Sequence, residues 1–275
     1  MKKLFARVAI QAFLAMALLP ATHAATNEAY CSKPVRVAMF EFGVLYRADT
    51  SDGMDVRVLA ELARRSGCTF ERVYMPRSRI WKELQMGRLD MATSAIPTSE
   101  RKVYGYLLPY FKTRNVVLMR RQSAPVDVNQ TTFENGKLRL GVVRGFRHEA
   151  DYDTMVAKLS AHGRVVEAVD VVDLFRLLDR KVVDAILSQP IVYTQYLAAS
   201  RLDEDLTLHD WAPADQFSVG ALILARASFT TAQAKHWDEL LVDMQSDGTL
   251  YKIAREFLPA KQARELIYTG PRSPE

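Results

Sequence analysis

The groups in this chain best suited to chemistry are guanidiniums, and the chemistry they suit is anion capture. Arg79 opens one helical stretch with Arg77 two residues before it, and Arg101 follows Thr98 by three positions. Arg144, Arg147 and His148 surround the pair Gly145 and Phe146. A guanidinium offers parallel N–H donors that match both oxygens of a carboxylate, and it stays charged at any ordinary pH. From Arg144 to Arg147 the chain leaves an apolar run and enters a helical one. Free backbone N–H groups and a helix N-terminus add to the attraction there, unless Arg144 and Arg147 turn to solvent. Other chemistries find no support. His23, His148, His162, His209 and His236 lack metal-ligand spacing. No nucleophile elbow, phosphate-cradling glycine loop or aromatic-interleaved basic patch occurs. No metal, cofactor or nucleic-acid partner is therefore expected.

The composition is that of an ordinary globular protein. There are 275 residues, 49% hydrophobic and 25% charged, with a mean hydropathy of −0.09. Long disorder, a collagen-like array and a coiled coil are excluded on those grounds. The net charge of +5 takes three of its charges from Lys2, Lys3 and Arg7, and without them the balance is +2. Those residues begin a targeting segment. An apolar run over 8–19, Pro20 and small residues up to Ala24 match a secretory signal peptide of residues 1–24. The run is too short to cross about 30 Å of hydrocarbon, so the mature protein is read as exported to the periplasm. In that oxidising compartment Cys31 and Cys68 are free to pair.

Apolar spacing gives the elements. Strands are predicted over 35–40, 70–75 and 89–93, with helices over 54–66 and 79–86 between them. Val58, Leu59, Leu62 and Ala63 fall at helical spacing, and Gly67 suits the residue after the helix end. The plan repeats as strands over 138–143, 165–169 and 185–187 with helices over 148–159 and 171–179. A local echo supports duplication, since 83–92 and 177–186 each run from a helix end through a turn to a strand opened by Asp90 or Asp184. Alternating strands and helices imply two parallel-sheet lobes. A strand over 217–224 and helices over 231–245 and 249–257 have no sheet of their own, and the tail after Pro259 reads as loose. If the first two strands are parallel neighbours, Cys31 and Cys68 lie on one edge and form a disulfide; the alternative is two buried thiols.

In order and spacing, several short motifs resemble the extracellular solute-binding proteins of family 3, which feed polar amino acids to ABC importers. They are Gly53, Met54 and Asp55 at a helix start, Leu84 to Asp90, Thr98 to Arg101, Pro109 and Tyr110, and Asp247 to Ala254. The resemblance covers about residues 34–258. It implies an α/β Venus-flytrap of two lobes, each a mostly parallel sheet with flanking helices, joined by two crossing strands near 110–114 and 217–220. Lobe 1 is then 33–111 plus 219–270, and lobe 2 is 112–218. Hinge closure around a ligand is the expected motion.

The resemblance also implies roles. Arg101 clamps the ligand carboxylate, with Thr98 and Ser94 beside it, while Ile96 replaces a polar residue common in the family. Phe42, Tyr46 and Trp81 are candidate aromatic walls, and Arg147 stands where a Thr is usual. At Gln189 the amino-acid binders carry an acid that neutralises the ligand ammonium. Either Glu41 or Asp49 replaces that acid, or the ligand is not a simple α-amino acid. The basic set, Arg79 included, favours a carboxylate-rich solute. The implied function is capture of a small polar, carboxylate-bearing solute by a monomeric, non-enzymatic protein that delivers it to an inner-membrane ABC permease. A sensor lobe without transport and a dehydratase-type enzyme on the same fold are the alternatives.

Overall fold

The computed structural model describes residues 30–124, 128–199, 205–213 and 215–272. The expected signal peptide, 1–24, lies outside the described residues. The first half of the chain runs β1 (Val35–Met39), α1 (Met54–Ser66), β2 (Phe70–Tyr74), α2 (Arg77–Gln85), β3 (Met91–Ala95), α3 (Ser99–Tyr104) and β4 (Gly105–Thr113). There follow β5 (Val116–Arg120), α4 (Gln130–Asn135), β6 (Leu140–Val143), α5 (Ala150–Ala161), β7 (Val165–Ala168), α6 (Val171–Asp179), β8 (Ala185–Ser188), α7 (Pro190–Ala199) and β9 (Leu206–His209). The chain ends in β10 (Ser218–Ala225), α8 (Thr231–Ser246), α9 (Thr249–Phe257) and α10 (Ala260–Leu266).

These strands form two five-stranded sheets, ordered β2-β1-β3-β10-β4 and β7-β6-β8-β5-β9. In each, the first three strands are parallel and the fourth runs against its neighbours. The two sheets therefore share one plan. The echoed segments 83–92 and 177–186 lead into β3 and β8, the third strand of each sheet. Between β4 and β5 the chain passes from the first sheet to the second through Arg114 and Asn115, and it returns between β9 and β10. Glu149 ties both passages together. It accepts from the backbone N–H of Asn115 at 3.1 Å, its amide at 2.7 Å and the hydroxyl of Ser218 at 3.1 Å.

The helices bury the faces that their spacing sets. In α1 the buried apolar residues are Met54, Val58, Leu59 and Leu62. α6 buries Val171, Leu174, Phe175 and Leu178. β3, at the centre of its sheet, is buried throughout. Cys31 and Cys68 precede the parallel neighbours β1 and β2 and form a disulfide, so the alternative of two free thiols does not hold. The tail requires a correction. It folds as α10, burying Ala263 and Leu266, after which Ile267 pairs with Phe111 and Tyr268 is buried. Apolar burial against β4 outweighs the polar composition that makes this segment read as loose.

Candidate functional site

Five chain segments meet between the sheets: the loop after β1, the starts of α2 and α3, the loop after β6, and the end of β8. In the first loop Phe42 is buried, tilted against Phe40 at 5.5 Å and edge-on to Phe146 at 5.5 Å. Gly43 follows with φ 59, a backbone region open to glycine at little cost. Its place is set by contact across the cleft: the N–H of Val44 donates to the carbonyl of Ile191 in α7 at 3.0 Å. Tyr46 turns away from this group and stacks on Tyr74 at 6.0 Å.

α3 begins at its cap, Thr98, whose hydroxyl accepts from the N–H of Arg101 at 3.2 Å. That short turn buries the Arg101 side chain, leaving the residue only 4% exposed. Its Nη1 donates to the carbonyl of Ile96 at 2.6 Å, and Nη2 reaches the carbonyl of Gly145 in the opposite lobe at 3.4 Å. Its guanidinium lies 3.9 Å from the centre of the Trp81 ring. Burial lowers the Arg101 pKa, and the charge of Arg147 adds to this, while Tyr104 opposes it. No carboxylate pairs with Arg101 among the described residues. Arg147 is half exposed, 3.9 Å from Asp153.

Ser94 is the third group from this region, and its hydroxyl is turned inward. It donates to Asp55 at 2.7 Å, and Tyr110 donates to the same carboxylate at 2.6 Å. These bonds hold Ser94 at φ 55, a conformation that costs a non-glycine residue roughly 1 kcal/mol or more. Ser94 thereby shapes the turn leading to Arg101. Burial pushes Asp55 up to about 6, against the two donors. Because that value exceeds the ordinary 3.8, the fold favours the protonated acid. The corresponding stability is fully present below about pH 4 and lost as pH rises through 6. At 1.36 kcal/mol per unit the change is about 3 kcal/mol. Urea unfolding of the wild type is expected to show this decline, and Asp55→Asn to lack it. A parallel pH dependence in the two proteins would rule it out.

From the second sheet, Gln189 follows β8, is 1% exposed, and has neither side-chain polar atom partnered. The Ser188 hydroxyl beside it is also buried without a partner. Both line a cavity with Phe42, Asn115, Phe146 and His148. A second cavity is lined by Phe40, Glu41, Arg77, Phe146 and Asp170. Each holds about 10 Å³, room for roughly one water. The lobes are thus closed on each other, and entry of a solute requires opening. A larger cavity, about 320 Å³, opens beside the connecting strands near Lys112 and Phe217. No group of three His, Cys, Asp or Glu residues that would hold a metal occurs among the described residues.

The structure therefore brings Arg101, Thr98, Phe42, Trp81 and Gln189 to the cleft. It does not bring Arg79, whose side chain is 66% exposed and pairs with Glu83 at 3.3 Å. Arg144 is likewise exposed and paired with Glu167 at 2.8 Å. Of the two acids considered for a ligand ammonium, Asp49 is exposed and bound to Arg47 at 2.7 Å. Glu41 is buried, and accepts from the N–H of Ala48 at 2.7 Å and from the Tyr196 hydroxyl across the cleft at 3.1 Å. Burial raises its pKa despite these donors. Phe40 and Phe146 enter the site without having been singled out as ligand contacts. Arg77, noted in sequence only as one of a basic set, sits at the centre. A helical phase signal was present: Arg77 lies three, four and seven residues before Ile80, Trp81 and Leu84, the inward face of α2, whereas Arg79 lies off it.

The profile of the bacterial extracellular solute-binding proteins, family 3, matches residues 36–260. Among solved structures, the chain is similar to the arginine-, lysine-, histidine-binding protein ArtJ from Geobacillus stearothermophilus. The TM-score is 0.67 at 19% identity, covering 84% of this chain and 100% of that one. An ancestral arginine-binding protein bound to arginine gives a TM-score of 0.68 at 18% identity, covering 84% and 100%. The ancestral amino acid-binding protein AncCDT-1, a precursor of cyclohexadienyl dehydratase, gives 0.66 at 16% identity, covering 82% and 96%. At such identities the likeness is one of fold. None of the curated proteins matches the chain in sequence.

Proposed function

Since the chain belongs to the bacterial extracellular solute-binding proteins of family 3, we propose that it captures a small polar, carboxylate-bearing solute in the periplasm and delivers it to an inner-membrane ABC importer. The observation that carries this is Arg101, a buried guanidinium at the cleft with no carboxylate paired to it among the described residues. In the proposed mechanism the signal peptide is removed after Ala24. Lobe 1 (33–111 and 219–270) and lobe 2 (112–218) then open about the two passages that Glu149 joins. The solute carboxylate takes the donors of Arg101, and closure brings up Gly145, Phe146 and Gln189. Gln189 hydrogen-bonds a neutral group, because it supplies no charge to offset a buried ammonium.

The test is a thermal-shift screen of residues 25–275 against amino acids, monocarboxylates and dicarboxylates. A ligand that binds only the native state adds about 2.7 kcal/mol at 100 times its Kd. Stabilisation by carboxylates and not by their amides is the expected result. No stabilisation by any carboxylate would overturn the proposal.

One observation favours a second reading. Glu41 is a cleft carboxylate whose pKa is raised by burial, the property a general acid needs. A dehydratase-type enzyme would use it to protonate a leaving hydroxyl. Turnover of a cyclohexadienyl substrate to an aromatic product, followed by absorbance and lost in Glu41→Gln, would decide for catalysis.

A further inference from the structure

Arg77 opens α2 and is only 2% exposed. Its guanidinium is boxed by rings, with the centres of Phe40 and Phe146 at 4.4 Å, Trp81 at 5.3 Å and Phe42 at 5.6 Å. Among the described residues its Nε and Nη1 have no hydrogen-bond partner, and Nη2 makes one long contact, 3.4 Å, with the carbonyl of Ser94. A buried guanidinium is ordinarily paired with a carboxylate, because ring faces answer only part of its lost hydration. Three acids of this region among the described residues are engaged elsewhere. Asp55 is held by Ser94 and Tyr110, Glu41 by Ala48 and Tyr196, and Asp170 caps α6 by accepting from Asp173 at 2.8 Å. The neighbouring charge is Arg101, which repels it.

We propose that Arg77 is a second anion receptor of the cleft, so that the solute carries two negative charges, one met by Arg101 and the other by Arg77. This rests on the binding function proposed above and narrows its substrate class to small dianions, dicarboxylates first. Three of the four rings, Phe40, Phe42 and Trp81, belong to the same lobe as Arg77, whereas Phe146 comes from the other. Opening lifts Phe146 from the guanidinium and exposes its unpartnered Nε and Nη1 edge while the remaining rings hold it in place. Two buried guanidiniums packed against the same Trp81 ring, neither paired with an acid among the described residues, favour a ligand that neutralises both. Gln189 and Ser188 add neutral donors and acceptors in the neighbouring cavity, which shares Phe42 and Phe146 with that of Arg77.

The experiment is calorimetric titration of residues 25–275 with saturated C4 to C6 dicarboxylates and with the half-amide of each. The wild type is expected to bind the best dicarboxylate at least tenfold more tightly than its half-amide. Arg77→Leu is expected to weaken the dicarboxylate 10- to 100-fold and the half-amide less than threefold, and Arg77→Lys to recover part of the preference. Circular dichroism and the unfolding midpoint serve as the folding control. Removal of an unpartnered buried charge is expected to leave the midpoint of Arg77→Leu equal to or above that of the wild type. Equal binding of dicarboxylate and half-amide, unchanged in Arg77→Leu, overturns the role of Arg77 and leaves the carboxylate-binding function standing. Absence of binding by every dicarboxylate and half-amide overturns the dianion assignment, and absence of binding by monocarboxylates and amino acids as well overturns both.

Discussion

Arg101→Ala is expected to weaken carboxylate binding by one to two orders of magnitude, with the fold intact. A charge-assisted hydrogen bond contributes roughly 1.5–3 kcal/mol net, which corresponds to about 10- to 150-fold in Kd. The lower end applies if a second carboxylate of the ligand stays bound to Arg77. The structure adds a second reason for a large effect. The Arg101 side chain lies 3.9 Å from the Trp81 ring and reaches Gly145 of the other lobe, so truncation loosens the wall and the closing contact together. Arg101→Lys keeps the charge but not the paired donors, and is expected to fall between the two. Calorimetry with the best ligand of the screen reads both. An Arg101→Ala protein that binds as the wild type would remove Arg101 from the site.

Gly43→Ala is expected to impair closure more than folding. A Cβ at Gly43 would lie 2.4 Å from the carbonyl oxygen of Ile191 and 2.7 Å from the Cα of Val192, both backbone atoms of α7 in the second lobe. Backbone cannot turn aside as a flexible side chain does, so the lobes must stop short of the geometry seen here. The open form pays only for φ 59 at an alanine, about 1–2 kcal/mol. The affinity is expected to fall by about 100-fold or more if closure supplies 2.7 kcal/mol or more of the binding free energy. Small-angle scattering is expected to show no ligand-induced contraction. Full affinity together with normal contraction in Gly43→Ala would mean that the loop yields, and that this contact does not gate closure.

Much of the fold was legible because its helices bury one regular face. The helix over 54–66, and likewise those over 171–179 and 249–257, carry apolar residues at helical spacing with clear ends, and the structure has them at those bounds. β5 was not read as a strand, because Val116 to Met119 form only a short apolar run after the polar stretch Lys112 to Asn115, and pairing with β8 and β9 is what makes them one. α10 was missed because its few apolar residues, Ala263 and Leu266, gain their weight from β4 beneath them.

For the site, the chemical types were already readable in the sequence: guanidiniums, aromatic rings, and an uncharged amide at Gln189. The strand-and-helix order that sets them at loop ends was readable there too. Which guanidinium is enclosed depends on the packing of distant segments. Arg77 and Arg79 are two residues apart on one helix and identical in type, yet one is enclosed by four rings and the other pairs with Glu83 in solvent. Two residues turn a helix by about 200°, so the phase of α2 against its sheet separates them. That phase is fixed by burial of Ile80 and Leu84, and the rings that enclose Arg77 come from stretches about 35 to 70 residues away on either side as well as from α2 itself. Local spacing narrows the choice of face, but the cage exists only once distant segments, each driven by its own apolar burial, close on the same point.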